Sequence, residues 1–117
     1  MPGYFKLATL RSSHEISAIR KEGKTYSNRY FVLVVRANTL QISRYAVIAS
    51  RSVGGAVERN RCKRRIRSRV AKLASKLTSG FDLLIIARIA CLTVEPKILD
   101  KAFEQVYDQA GLIDRHV

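Results

Sequence analysis

Between Ser50 and Lys72 the chain reads SRSVGGAVERNRCKRRIRSRVAK. Arg51, Arg59, Arg61, Lys63, Arg64, Arg65, Arg67, Arg69 and Lys72 stand there against a single acid, Glu58. Cationic side chains at this density do one kind of chemistry. They give charge-assisted hydrogen bonds to oxyanions, and the planar arginine fork suits phosphate oxygens. Asn60, in their midst, offers both a donor and an acceptor to a nucleic-acid backbone or a base edge.

A helix is needed to present these groups together, and the pattern predicts one from near Gly55 to near Thr78. The stretch has no proline, and Gly54 and Gly55 sit only at its front. Cys62, Ile66, Val70, Leu73 and Leu77 recur at spacings of three and four and share one stripe. Asn60, Arg64 and Arg67 project roughly opposite that stripe, with Lys63 on one flank and Arg61 and Arg65 on the other. A solvated basic face is the plainer reading, but such faces usually alternate in sign. This one does not, and like charges so close destabilise a helix. A dense polyanion relieves that repulsion, and nucleic acid is the first candidate.

The charge is not balanced elsewhere. The 117 residues carry 22 Lys and Arg against 9 Asp and Glu, a net +13. The length suits one domain, 1–117, with residues 1–10 expected as a flexible arm and 112–117 as a frayed tail. A hydrophobic fraction of 47% is enough for a core. No run is long and apolar enough for a membrane span, and the N-terminus lacks a signal-peptide core, so a cytoplasmic chain without a membrane partner is expected. No obligate protein partner is evident. Cys62 and Cys91 with His14 and His116 make no zinc pattern, and Cys62 on the apolar stripe is expected as a reduced, buried thiol.

Nor is there a catalytic constellation. Phosphodiester hydrolysis by a protein usually needs metal-binding carboxylates or a histidine acid–base pair. The acids are scattered: Glu15, Glu22, Glu58, Asp82, Glu95, Asp100, Glu104, Asp108 and Asp114. The only close set lies on the last helix, as a solvated face. Gly54-Gly55 before a helix could cradle a phosphate at the helix N-terminus, but no Gly-Lys-Ser/Thr follows. No catalytic residue and no protein metal site is expected.

The elements around the basic helix follow from local pattern. Ser12 to Glu15 reads as a capping box for a short helix ending at Glu22, with Gly23 as its stop. Residues 30–35, 45–49 and 81–88 are strands, the first two nearly continuous in apolar residues, and 24–27 is a possible short strand. Residues 38–43 form a loop. Pro96 opens a last helix with Ile98, Leu99, Ala102, Phe103, Val106 and Tyr107 on its apolar face. A strand, a long helix and a strand suggest a β-α-β crossover with parallel strands, and the whole is an α+β sandwich with helices on a sheet.

Residues 56–67, Ala-Val-Glu-Arg-Asn-Arg-Cys-Lys-Arg-Arg-Ile-Arg, strongly resemble the bacterial ribonuclease P protein subunit, whose long helix carries Ala-Val-x-Arg-Asn-Arg-x-Lys-Arg-x-x-Arg. Val53-Gly54, the strand from Asp82 with Ala87-Arg88 and Ala90, Lys21-Glu22-Gly23, and residues 28–33 are similar to the family's flanking segments. The likeness runs from about Leu10 to Tyr107. It implies a single-domain α-β-β-β-α-β-α sandwich of the ribosomal-protein-S5-domain-2-like kind, with an unusual left-handed crossover through the basic helix. It also implies a catalytic RNA partner and a precursor tRNA substrate. The RNA, with magnesium bound mainly by RNA and substrate, would remove the 5′ leader while the protein assists.

Carried onto this chain, the resemblance assigns RNA binding to Arg51, Arg59, Asn60, Arg61, Lys63, Arg64, Arg65 and Arg67. Departures flank the motif: Gly55 stands where the family has Lys, Ser52 where a basic residue is usual, and Ser68 and Ala71 where an acid and an Arg are expected. The family's leader-binding cleft, often aromatic, maps onto Ile16, Arg20 and Val34, with Tyr30, Phe31 or Tyr45 as possible substitutes for the missing rings. A ribosomal or other structural RNA-scaffold protein is the alternative function. A protein nuclease acting without RNA is a third, which the scattered acids disfavour.

Overall fold

The computed structural model describes residues 7–114. Five strands form one sheet: β1 (Leu7–Thr9), β2 (Lys24–Ser27), β3 (Phe31–Ala37), β4 (Ser43–Ile48) and β5 (Phe81–Ala87). Three helices accompany them: α1 (Ser13–Glu22), α2 (Ala56–Leu73) and α3 (Pro96–Gln109). The strand order is β1-β4-β5-β3-β2. β4 and β5 are parallel neighbours joined through α2, as the strand-helix-strand pattern predicts. β3 runs antiparallel to both β2 and β5.

Alternation along the strands builds two cores. Phe31, Leu33 and Val35 of β3 and Leu83, Ile85 and Ala87 of β5 face α2 and α3. There they meet Cys62, Ile66 and Val70 of α2 and Leu99, Phe103 and Tyr107 of α3. Phe31 stacks on Phe103 with ring centroids 4.1 Å apart. The other face is smaller: Val34, Ala46 and Leu84 pack with Leu10 beneath Ile19 of α1. The end of α1 lies so close that a Cβ on Gly23 would stand 2.5 Å from Val34 Cγ1, so only glycine fits there.

Several expectations need correction. The expected arm over residues 1–10 is, where described, a strand: Leu7–Thr9 pairs in parallel with β4, and Leu10 is buried. Residues 1–6 and 115–117 lie outside the described residues. The expected frayed tail likewise begins ordered, because Leu112 is fully buried and Ile113 bridges Leu77. α2 ends at Leu73 rather than near Thr78. A 3₁₀ turn over Ala74–Lys76 follows and carries Leu77 out to that bridge. Ser43, expected in a loop, opens β4. Ile98, expected on the apolar face of α3, is largely exposed. Ser12 caps α1 by accepting from the Glu15 amide at 3.3 Å, but the Glu15 carboxylate does not return the bond. It accepts from Arg44 instead.

That pair belongs to a network centred on Asp82, a carboxylate with no exposed surface in the second position of β5. Asp82 accepts from Arg44 Nε and Nη2 at 2.8 Å each, from Arg36 Nη2 at 2.9 Å and from Asn38 Nδ2 at 2.9 Å. Arg44 extends to Glu15 at 2.8 Å and Arg36 to Glu22 at 3.2 Å. One buried carboxylate thus fastens both ends of α1 through two arginines. Burial pushes the Asp82 carboxyl up, but the bonds from Arg44, Arg36 and Asn38 together outweigh it and hold it below its ordinary 3.8.

Two arginines of α2 are also used internally. Arg69 is buried; its Nε donates to Asp100 at 2.9 Å, Nη1 to Arg65 O at 3.0 Å and Nη2 to Pro96 O at 3.2 Å. Arg65 Nη1 donates to Cys91 O at 2.7 Å, and Nη2 to Val94 O. These bonds clamp α2 to the β5–α3 connection and to the start of α3. Cys62 and Cys91, both free and fully buried, lie in the core beside the clamp. Desolvation pushes the Cys91 thiol up to about 12, and the Cys62 thiol is raised for the same reason.

Two outcomes follow from these networks. Because the Asp82 pKa is depressed on folding, its stabilisation is complete above about 3.8 and is lost as pH falls through the folded value. Asp82→Asn should therefore unfold more easily in urea near neutral pH, at the lower end of about 3–5 kcal/mol because both arginines keep some solvent access. Its stability should also fall less steeply than wild type from about pH 5 to about pH 2. Equal acid slopes would refute that role. Separately, Arg69→Ala should cost about 1–3 kcal/mol by stranding two carbonyls and leaving Asp100 only the longer contact with Lys72. Arg67→Ala, two residues away and exposed, should stay within about 0.5 kcal/mol of wild type. Chemical denaturation of both variants checks this.

Candidate nucleic-acid interface

The basic helix starts from a glycine pair. Gly54 has φ +145°, and a Cβ there would stand 2.8 Å from Glu58 Cβ. The sharp turn and the close approach of Glu58 both demand glycine. Gly55 is the N-cap, and its amide donates to Glu58 Oε1 at 2.9 Å. The one acid of the stretch therefore caps its own helix. The amide that might have cradled a phosphate is already occupied.

Along α2 the apolar stripe of Cys62, Ile66, Val70 and Leu73 faces the sheet, as the spacing predicts. Arg59, Arg61, Lys63, Arg64 and Arg67 make no side-chain hydrogen bond or ion pair among the described residues; Asn60, Arg61, Arg64 and Arg67 are exposed, and Arg59 and Lys63 are half-buried. Arg51 is exposed too, in the turn after β4, with its carbonyl accepting from Gly54 N at 3.1 Å. Arg65 differs from its neighbours: its guanidinium is directed at the connection between β5 and α3. Sequence reasoning placed Arg65 among the RNA contacts because periodicity gives a flank but not what the flank meets. A groove of about 500 Å³ runs along this flank, with Arg61, Arg64 and Arg65 on one wall and residues 93–96 on the other.

The residues expected to line a leader cleft are split between the two faces of the sheet, with Ile16 and Val34 meeting in the small core and Tyr30 and Tyr45 on the opposite side. Ile16 sits half-buried at the edge of the small core, and Arg20 is exposed on α1. Val34 is buried beneath α1 and offers no surface. Tyr30 and Tyr45 pack against the opposite core, on the α2–α3 side of the sheet. They cannot stand in for rings on the α1 side. What the α1 side leaves half-exposed is an aliphatic row that pairs across three strands, Val32 to Ile86 to Ile48. Sequence reasoning missed this row. The signal was present in the alternation: residues an even number of places from Val34 and Leu84 share their face.

Among the described residues no group of three or more His, Cys, Asp or Glu side chains gathers as metal ligands. The described side chains thus offer no ready-made cage for a magnesium ion. No helix is long and apolar enough to cross a membrane.

Residues 5–111 match the family model described as Ribonuclease P. The ribonuclease P protein component of Chloroflexus aurantiacus is 34% identical over 99 residues, covering 85% of this chain and 69% of that protein. A Staphylococcus aureus RNase P protein mutant with defective mRNA degradation activity superposes with a TM-score of 0.82 at 26% identity, covering 90% of this chain and 89% of that one. The RNase P protein from Thermotoga maritima gives 0.76 at 28% identity, over 86% and 96%. The five-stranded sheet and the three helices agree with these likenesses, and the chain belongs to the ribonuclease P protein family.

Proposed function

We propose that this chain binds the catalytic RNA of ribonuclease P through Arg51, Arg59, Asn60, Arg61, Lys63, Arg64 and Arg67, and assists removal of the 5′ leader from precursor tRNA. The observation that carries the reading is the set Arg59, Arg61, Lys63, Arg64 and Arg67, which make no side-chain bond among the described residues, on the same helix whose Arg65 and Arg69 are bonded internally. Arg65 contributes chiefly by holding the wall of the groove. Magnesium is held by the RNA and the substrate, and the complex works in the cytoplasm. The alternative, a structural RNA scaffold, is not favoured by the family match.

The leader is proposed to cross the α1 side of the sheet. The exposed row there is aliphatic, so base stacking on aromatic rings, worth about 1–3 kcal/mol per base where it occurs, is not available from it. Arg20 supplies charge beside that row. Leader binding is then modest and largely independent of sequence.

Precursor-tRNA cleavage with and without a bacterial catalytic RNA, at low magnesium, tests the main reading. The protein should raise cleavage only when the RNA is present. Cleavage by RNA-free protein would overturn the division of labour, and no effect on the RNA would overturn the function. Affinity for the RNA should fall steeply with salt, because neutralised phosphates release counterions. Removing Arg59, Arg64 and Arg67 together should flatten the log–log slope by about 2–3 units while the protein stays folded. A second measurement concerns the leader. The preference of the assembled complex for precursor over mature tRNA should shrink with salt and with Arg20→Ala. A preference that ignores both would place leader recognition elsewhere.

A further inference from the structure

Glu95 holds a carboxylate that the fold does not use. It is the N-cap residue of α3, yet its side chain accepts no hydrogen bond from the helix. Its backbone carbonyl alone takes part, accepting from Leu99 N at 3.1 Å. The side chain is exposed and makes no ion pair among the described residues, although Arg61 and Arg64 line the same groove. On a surface that meets RNA phosphates such an acid repels the backbone. It gains only where something other than a phosphate lies against it.

We infer that the groove between α2 and residues 93–96 takes one unpaired guanosine nucleotide of the RNA partner, its phosphate on Arg61 and Arg64 and its base edge on Glu95. This rests on the RNA-binding reading above and specifies one subsite of it. At about 500 Å³ the groove falls within the usual size range of small-ligand clefts. Val94 and Pro96 flank Glu95 with apolar surface for a base to lie against, and a guanidinium plane can stack on the other side of the ring. Arg65 fixes the Glu95 wall in advance, since it bonds the carbonyls of Cys91 and Val94.

The choice of base follows from donor count. A carboxylate has only acceptors. Guanine presents two adjacent donors, N1–H and the N2 amino group, on one edge, and a carboxylate can accept both. Adenine and cytosine present a single amino group beside a ring acceptor, and uracil presents one N–H between two carbonyls. Only guanine satisfies both carboxylate oxygens without setting an acceptor against them.

The probes are GMP, AMP, CMP and UMP, titrated at low salt into the isotope-labelled full chain and followed by NMR. GMP should shift the backbone amides of residues 93–95 and bind at least about fivefold tighter than the other three. Glu95→Gln should erase that preference while leaving the affinity common to all four. Arg61→Ala with Arg64→Ala should weaken all four alike. Equal affinities, a GMP preference that survives Glu95→Gln, or shifts confined to another face would overturn the inference. Protein that supports precursor cleavage but shows no guanine preference sinks this subsite alone. Protein that prefers guanine but does not support cleavage sinks the proposed function alone.

Discussion

The structure depends on solving one electrostatic problem: a helix with eight cations and one acid must lie flat on a sheet. Coulomb repulsion along α2 opposes the helix, and the apolar stripe alone is narrow. The chain meets this by dividing the cations. Two turn inward to carbonyls and Asp100, Lys72 reaches Asp100 at 3.9 Å from the surface, and five have no partner among the described residues. Glu58 spends its charge at the helix N-terminus, where the macrodipole favours an anion. The inward pair also joins α2 to the β5–α3 connection, so the outer cations stand on a support fixed from two sides.

The same device appears on the other face with the signs exchanged. There the buried charge is an acid, and two arginines carry its influence outward to α1. A buried ion pair is often no more stabilising than apolar packing. Its value here is positional. The small core under α1 contains few side chains, and apolar contacts resist sliding poorly. Directional bonds at Glu15 and Glu22 set where the helix lies, and so how much of the Val32–Ile86–Ile48 row remains open.

The sequence showed whatever is governed by near neighbours. The stripe on α2, the glycine stop after α1, Pro96 at the start of α3 and the three long strands are all readable at a range of a few residues. The motif itself was legible to the extent that Arg59, Arg61, Lys63, Arg64 and Arg67 do stand free. Arg65 and Arg69 were not, because periodicity places a side chain on a flank without saying that a loop from thirty residues away covers that flank. Asp82 looked like one more scattered acid for the same reason, since its partners are 38 to 46 residues distant. β1 has only three residues and takes its order from pairing with β4. Tyr45 was set on the wrong face, although the alternation with Ala46 already separated it from Val34 and Leu84.

The two surfaces left over by these networks point away from each other. The free cations lie outside α2, and the aliphatic row lies across the sheet on the α1 side. The molecule is 23 Å through its shortest axis, and at physiological ionic strength a field decays over about 8 Å. The charge on α2 is therefore screened before it reaches the α1 side through solvent. A polyanion on that side must be held by local groups such as Arg20 and by apolar contact. On the proposed reading, one RNA is gripped strongly on α2 while a second segment is held weakly on the row, without the two competing for the same cations. Weak retention suits a strand that must be released after it is cut, and tight retention suits an RNA that stays.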